Sequence, residues 1–262
     1  MIHLKSPEEI KIMAEGGSIL NEVMEILLNV LDEGIEMREL DRLAESEIKK
    51  RGAEPSFKMV PGYRWSICAC VNDIVVHGIP GVYKAKSDDL IGIDLGVFYK
   101  GYHTDSSWSQ RVGNHSTQSA KVIDNFLSVG RNALNNAINA ACMGNYIYDI
   151  SLAIETTVKN AGFSVVKSLI GHGIGKNLHE DPEVPGFVSK PRLKTPKLEN
   201  GLTLAIEVIY NMGTDEVVYD KGDGWTISTK DGKLSGLFEN TVAITDHGVI
   251  LLSKNYGPSG NS

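Results

Sequence analysis

Few covalent or electrostatic shortcuts are open to this chain. Its 262 residues include only three cysteines, Cys68, Cys70 and Cys142, which gives no disulfide framework. Cys68 and Cys70 have the C-x-C alternation of a strand, not the spacing of a zinc knuckle. No apolar run approaches the roughly 20 residues that a membrane span needs. The opening MIHLKSPEE turns charged at once, so no signal peptide and no membrane partner are expected, and a reducing, cytoplasmic setting is. Basic residues are not in excess either: 26 Lys and Arg stand against 33 Asp and Glu, a net charge of −7. A mildly acidic surface is not built to hold a polyanion, so no specific nucleic-acid partner is expected. The local cluster Lys190, Arg192, Lys194 and Lys197 reads as a solvated loop.

Several site motifs are also missing. The stretch GHGIGKNLHEDPEVPGF at 171–187 fails both phosphate-loop patterns: Asn177 stands where GxxxxGK[ST] wants Ser or Thr, and Lys176 where GxGxxG wants its last Gly. The zinc-protease helix H-E-x-x-H is absent, because His179-Glu180 is followed by Asp181-Pro182-Glu183. No G-x-S-x-G nucleophile elbow occurs.

What is present is a hydrophobic content of 42%, enough to build a large core. Ser6-Pro7-Glu8-Glu9 is a strong helix start, with a cap, a proline at the first position and a capping box. Ile10, Met13, Leu20, Met24, Leu27 and Leu31 then follow a helical period until Gly34. A second helix carries Leu40, Leu43, Ala44 and Ile48 and stops before Gly52. The scheme recurs after residue 115: a helix from about Thr117 to Ala141, a break at Gly144, and a helix with Ile150, Ile154 and Val158 before Gly162. HGIPG at 77–81 echoes HGIGK at 172–176, IGIDL at 91–95 echoes LAIEV at 204–208, and TDS at 104–106 echoes FEN at 238–240. Each half therefore reads helix, helix, HGI strand, acidic strand, acidic strand. This is a long-period duplication, and two fused copies usually meet about a pseudo-twofold axis. One domain over 1–262 is expected, with halves at about 1–115 and 116–252 and a flexible tail at about 253–262. A hairpin, Val242–Thr245 with Val249–Leu252, closes the second half.

The acidic strands pose a physical problem. Asp94 lies within LIGIDLGV, Glu207 within LTLAIEVI, and Glu239 between LF and a TVAI strand. A Lys100-Gly101 turn would pair Tyr99 with Tyr102, set Asp94 opposite Ser107 and make Asp105 its diagonal neighbour on one face. Bare carboxylates in a low-dielectric core cost several kcal/mol each. No Lys or Arg sits beside these four on their strands, so protonation or metal must compensate. Carboxylates with an imidazole suit divalent first-row metals, and bridging carboxylates suit a two-metal site. His172, flanked by Gly171 and Gly173, is the obvious nitrogen donor.

HGIP, IDLG with TDS, GHGIG with HEDP, AIEV and FENT, in this order, resemble the type I methionine aminopeptidases, from Ser6 to about Leu252. The resemblance implies an α+β pita-bread fold: pseudo-twofold halves with a central curved antiparallel sheet flanked by helices. It implies a metallo-aminopeptidase that removes initiator Met from nascent chains with a small second residue. Two divalent ions (Co, Mn, Fe or Zn) would be held by Asp94, Asp105, His172, Glu207 and Glu239, with Asp105 and Glu239 bridging. Glu207 would shuttle protons, and His77 and His179 would face the substrate. The methionine pocket maps onto Phe57, Val60, Tyr63, Cys68, Leu178 and Trp225. Tyr63, Cys68 and Trp225 fit the family pattern, whereas Phe57, Val60 and Leu178 depart from it, so Met is expected to be preferred less strictly. The partners it implies are N-terminal Met peptides and nascent polypeptides, with the ribosome as a candidate contact and a monomer as the default. The competing readings are a non-catalytic binding module of the same fold and an aminopeptidase of different N-terminal specificity.

Overall fold

The computed structural model describes residues 2–256. The first half holds α1 (Pro7–Val30), α2 (Met37–Lys50), β1 (Glu54–Pro55), β2 (Ile67–Val71), β3 (Ile74–Val76), β4 (Leu90–Tyr99) and β5 (Tyr102–Arg111). The second holds α3 (Gln118–Ala140), α4 (Ile147–Asn160), β6 (Ser164–Val165), β7 (Gly171–Gly173), β8 (Glu180–Val184), β9 (Thr203–Asn211), β10 (Val217–Tyr219), β11 (Ile227–Thr229), β12 (Ser235–Thr245) and β13 (Gly248–Leu251). Ser6 caps α1 in a reciprocal capping box with Glu9, and Thr117 caps α3.

Ten strands form one sheet in the order β1-β4-β5-β12-β9-β7-β8, with β2 added to β4, β6 to β9 and β13 to β12. All of its pairings are antiparallel. The two halves join where β5 meets β12. Helix α1 packs on β4 and β5, and α3 packs on β9 and β12. The period-2 alternation of a strand explains the rest. Ile91, Ile93, Leu95 and Val97 of β4, Trp108 of β5, Ile206, Val208 and Tyr210 of β9, and Phe238, Val242 and Ile244 of β12 share one core with the helices. Asp94, Asp105, Glu207 and Glu239 occupy the intervening positions and so face the other side of the sheet.

Two expectations need correction. HGI at 77–79 is not a strand: β3 ends at Val76, and His77 takes φ 56°, a left-handed conformation that breaks pairing. Residues 253–256 are not a loose tail, because Ser253 and Tyr256 are buried and Tyr256 packs edge-on against Trp108. The remainder of the expected tail, 257–262, lies outside the described residues.

Candidate metal centre

Five neighbouring strands each deliver one residue to a single line across the sheet. Cys68 pairs with Asp94, Asp94 with Ser107, Ser107 with Glu239, and Glu239 with Glu207. Asp105 sits two residues from Ser107 and pairs with Gly96, which makes it the diagonal neighbour of Asp94. The hairpin turn behind this register is Lys100-Gly101, whose φ values of 47° and 90° suit a tight two-residue loop. β7 sets His172 opposite Ala205, two residues from Glu207. The His172 Nε2 thereby lies 3.6 Å from Glu207 Oε1. One donor atom each from Asp105, His172 and Glu239 fall within 4.8 Å of one another.

Small neighbours allow His172 to stand there. A Cβ at Gly171 would come 2.5 Å from the Ala205 carbonyl oxygen, and one at Gly173 would strike the Asp181 carbonyl. Backbone cannot yield as a side-chain tip can. We expect Gly173→Ala to cost about 1–3 kcal/mol of stability, read by urea unfolding, and to displace His172.

The electrostatics of this face are uncompensated. Asp105 and Glu239 are 4% and 3% exposed, too little for water to solvate a charge. Among the described residues no Lys or Arg pairs with any of the four acids. Burial pushes Asp94 up to about 7. Burial first, then repulsion from Asp94 and the other acids, raises Asp105, Glu207 and Glu239 well above the usual carboxylate range. Burial also pushes His172 down to about 4, so its ring is neutral. His172 Nδ1 is 2.8 Å from the Gly173 carbonyl oxygen. A carbonyl only accepts, so Nδ1 carries the proton and the Nε2 lone pair points at Glu207.

These residues fit a divalent cation. Asp94 Oδ1 and Glu239 Oε1 are buried without a hydrogen-bond partner among the described residues. A lone pair facing a carboxylate, orphaned carboxylate oxygens and an oxygen-rich set with one imidazole are what a first-row metal ion satisfies.

Beside the acids lies a cavity of about 150 Å³. Its walls include all six expected pocket residues, Phe57, Val60, Tyr63, Cys68, Leu178 and Trp225, together with His77 and His179. Tyr63 is central: Trp225 meets its ring edge-on at 5.1 Å and Phe57 at 6.4 Å. Its hydroxyl donates to the Ile67 carbonyl at 2.9 Å, which fixes the ring. Burial keeps the Cys68 thiol protonated. His77 lies 6.5 Å from Trp225, and His179 stands edge-on to His172 at 4.4 Å. Burial lowers the pKa of both His77 and His179, so each is a neutral imidazole with one donor and one acceptor.

Sequence reasoning did not single out Val76 and Leu237, which also line the cavity. It also missed His103, which is buried, bonds Ser56 Oγ through Nδ1 at 2.9 Å and is pushed down to about 4 by burial. Its position two residues before Asp105 on an alternating strand was the available signal.

Residues 11–246 match the metallopeptidase family M24. The chain is 43% identical over 254 residues to methionine aminopeptidase 1 of Bacillus subtilis, covering 97% of this chain and 100% of that one. It is 44% identical over 253 residues to the methionine aminopeptidase of Clostridium perfringens, covering 97% and 99%. The crystal structure of methionine aminopeptidase from Thermotoga maritima matches with a TM-score of 0.91 at 33% identity, over 97% of this chain and 100% of that one. A prolidase from Pyrococcus furiosus shares the fold alone, at 21% identity and a TM-score of 0.76, and this chain covers 66% of it. With matches running through both halves and both acidic strand pairs, the chain has the pita-bread fold and belongs to metallopeptidase family M24, among its methionine aminopeptidases.

Proposed function

We propose that this chain removes N-terminal methionine from peptides and from nascent polypeptides whose second residue is small. One observation carries this reading: an uncompensated line of buried and half-buried carboxylates adjoins an aromatic cavity of one side chain's size. A methionine thioether suits the walls formed by Tyr63 and Trp225. We take the chain as one catalytic domain, since the ten-stranded sheet crosses both halves. Nascent chains would be met in the cytoplasm, and no helix of the described residues is long and apolar enough to cross a membrane.

In this reading Asp94, Asp105, His172, Glu207 and Glu239 are the residues that would hold two divalent ions. Two ions are favoured over one because the four carboxylates, once ionised, would carry four negative charges. Bound there, such ions supply Lewis acidity to the first peptide carbonyl and to the attacking water. Glu207 Oε1 takes the proton that the water loses and returns it to the departing amine. His77 and His179, neutral by burial, donate ring N–H bonds to the scissile amide and to the oxygen on which charge develops. The apolar walls exclude bulk water and fix the first side chain.

Rates of release from Met-Ala-Ser, Leu-Ala-Ser and Ala-Ala-Ser with manganese added test the reading. Met should leave at least about tenfold faster than Leu, the scale on which an apolar pocket separates side chains of similar size. Equal turnover of the three would refute it.

A further inference from the structure

The turn Asn177-Leu178-His179-Glu180 carries two cavity residues, Leu178 and His179. Its first residue is exposed. Its last residue closes it. Glu180 Oε1 accepts the backbone N–H of Asn177 at 3.0 Å, a bond from one end of the turn to the other. Glu180 Oε2 accepts from Lys5 Nζ at 2.6 Å. The two side chains are 4% and 6% exposed. Every other Lys–carboxylate pair among the described residues has its lysine at least 31% exposed. Of the Lys–carboxylate pairs among the described residues, only this one is desolvated on both sides.

Lys5 is itself fixed. Its backbone N–H donates to the Gly201 carbonyl at 2.6 Å, and Nζ also donates to the His3 carbonyl at 3.0 Å. Its stem passes over Gly175, where a Cβ would stand 2.8 Å from Nζ and closer still to Cε. Gly175 is tied to the same turn, donating to the Asn177 carbonyl at 3.1 Å and accepting from the His103 N–H at 2.7 Å. A segment that precedes α1 in the first half thus fastens the rim of the site in the second.

We propose that Lys5 and Glu180 are positioning residues for the aminopeptidase reaction, locking the 177–180 turn so that His179 and Leu178 meet the substrate in register. This rests on the function proposed above. Without the ammonium group, Glu180 would be a nearly dry charge held only by the Asn177 N–H. It would turn toward water and release Asn177. A displacement of about 1 Å at a substrate-contacting group can lower rate by about 100-fold.

The test uses the full chain loaded with manganese, and the variants Lys5→Met and Lys5→Met/Glu180→Gln. Melting temperature and kcat and KM for Met-Ala-Ser and Leu-Ala-Ser are measured together. Lys5→Met should lower kcat/KM for the Met peptide by about 100-fold and narrow the Met-to-Leu ratio, because Leu178 moves with His179. The double variant buries no charge and serves if the single one does not fold. Its melting temperature should return toward wild type, while kcat/KM stays about tenfold low, since nothing holds the Gln in place. If the kinetic constants and the Met-to-Leu ratio return with the melting temperature, or never change, the pair is structural only and the proposal fails. A wild-type chain that releases no Met would overturn the functional reading itself, a result distinguishable before either variant is made.

Discussion

Asp105→Asn should abolish methionine release while making the chelator-treated protein harder to unfold. The substitution keeps the shape of the side chain and one acceptor oxygen, so the Ser106 N–H that now bonds Asp105 Oδ1 at 3.0 Å keeps its partner. What changes is charge. Asp105 is buried, and repulsion from Asp94 and Glu207 adds to the cost of ionising it. An amide there removes one repelling carboxyl and brings two N–H donors toward orphaned oxygens such as Asp94 Oδ1 and Glu239 Oε1. Replacing a buried ion pair by neutral residues of similar volume is often neutral or stabilising by about 1–4 kcal/mol, and removing a carboxyl that burial and its neighbours make costly to ionise should act in the same direction. For the loaded enzyme the sign reverses. Losing a partner that merely orients a metal ligand costs about 10–100-fold in affinity, so losing an oxygen that itself contacts the ion, as proposed for Asp105, should cost at least about 100-fold. Calorimetric titration with manganese, a melt in EDTA and the Met-Ala-Ser assay read the three effects separately. A variant that binds manganese as tightly as wild type, or turns over as fast, would remove Asp105 from the centre.

Much of this centre was legible because its parts break a rule that strands otherwise obey. A carboxylate inside an apolar strand is costly, so Asp94 and Glu207 announce themselves. The face shared by Asp94 and Asp105 was legible because a two-residue Lys100-Gly101 turn and a four-residue loop both produce it; the structure has the two-residue turn. The direct pairing of Glu207 with Glu239 was another matter. Thirty-one residues intervene, including the β10–β11 ribbon, and only the internal duplication hinted at it. His77 was misread for a related reason. Its motif copy at His172 is a true strand residue, and identical letters concealed a left-handed backbone at the first copy. Such a conformation costs about 1–3 kcal/mol in a non-glycine residue and persists only where its surroundings impose it. Lys5 was not legible at all. It looks like any surface lysine beside a helix cap, and nothing local shows that a glycine 170 residues later leaves room for its stem. Burial of a charge is a tertiary fact.

The same buried acids set an unusual pH dependence, with opposite signs before and after metal loading. In chelator-treated protein the folded pKa values of Asp94, Asp105, Glu207 and Glu239 lie above their ordinary ones, because burial favours the protonated form. The folded state therefore binds more protons than the unfolded one above about pH 4. That stability is fully present below the unfolded pKa and is lost as pH rises through the folded one. The histidines around the site act oppositely. His77, His103, His172 and His179 have lowered pKa values, so their contribution grows as pH rises toward about 6.5 and is flat beyond. Below about pH 6.5 the two trends offset one another. Above it only the carboxyls act, each able to remove about 1.4 kcal/mol per pH unit while it remains protonated in the fold. Manganese displaces those protons, so the loaded protein gains as pH rises until its ligands are fully ionised. Melts at pH 6.5, 7.5 and 8.5, with EDTA and with excess manganese, should therefore diverge, the EDTA series falling and the manganese series level or rising. Parallel series would mean that the four carboxyls ionise freely in the fold, and the uncompensated line across β4, β5, β12 and β9 would lose its reason for holding a cation.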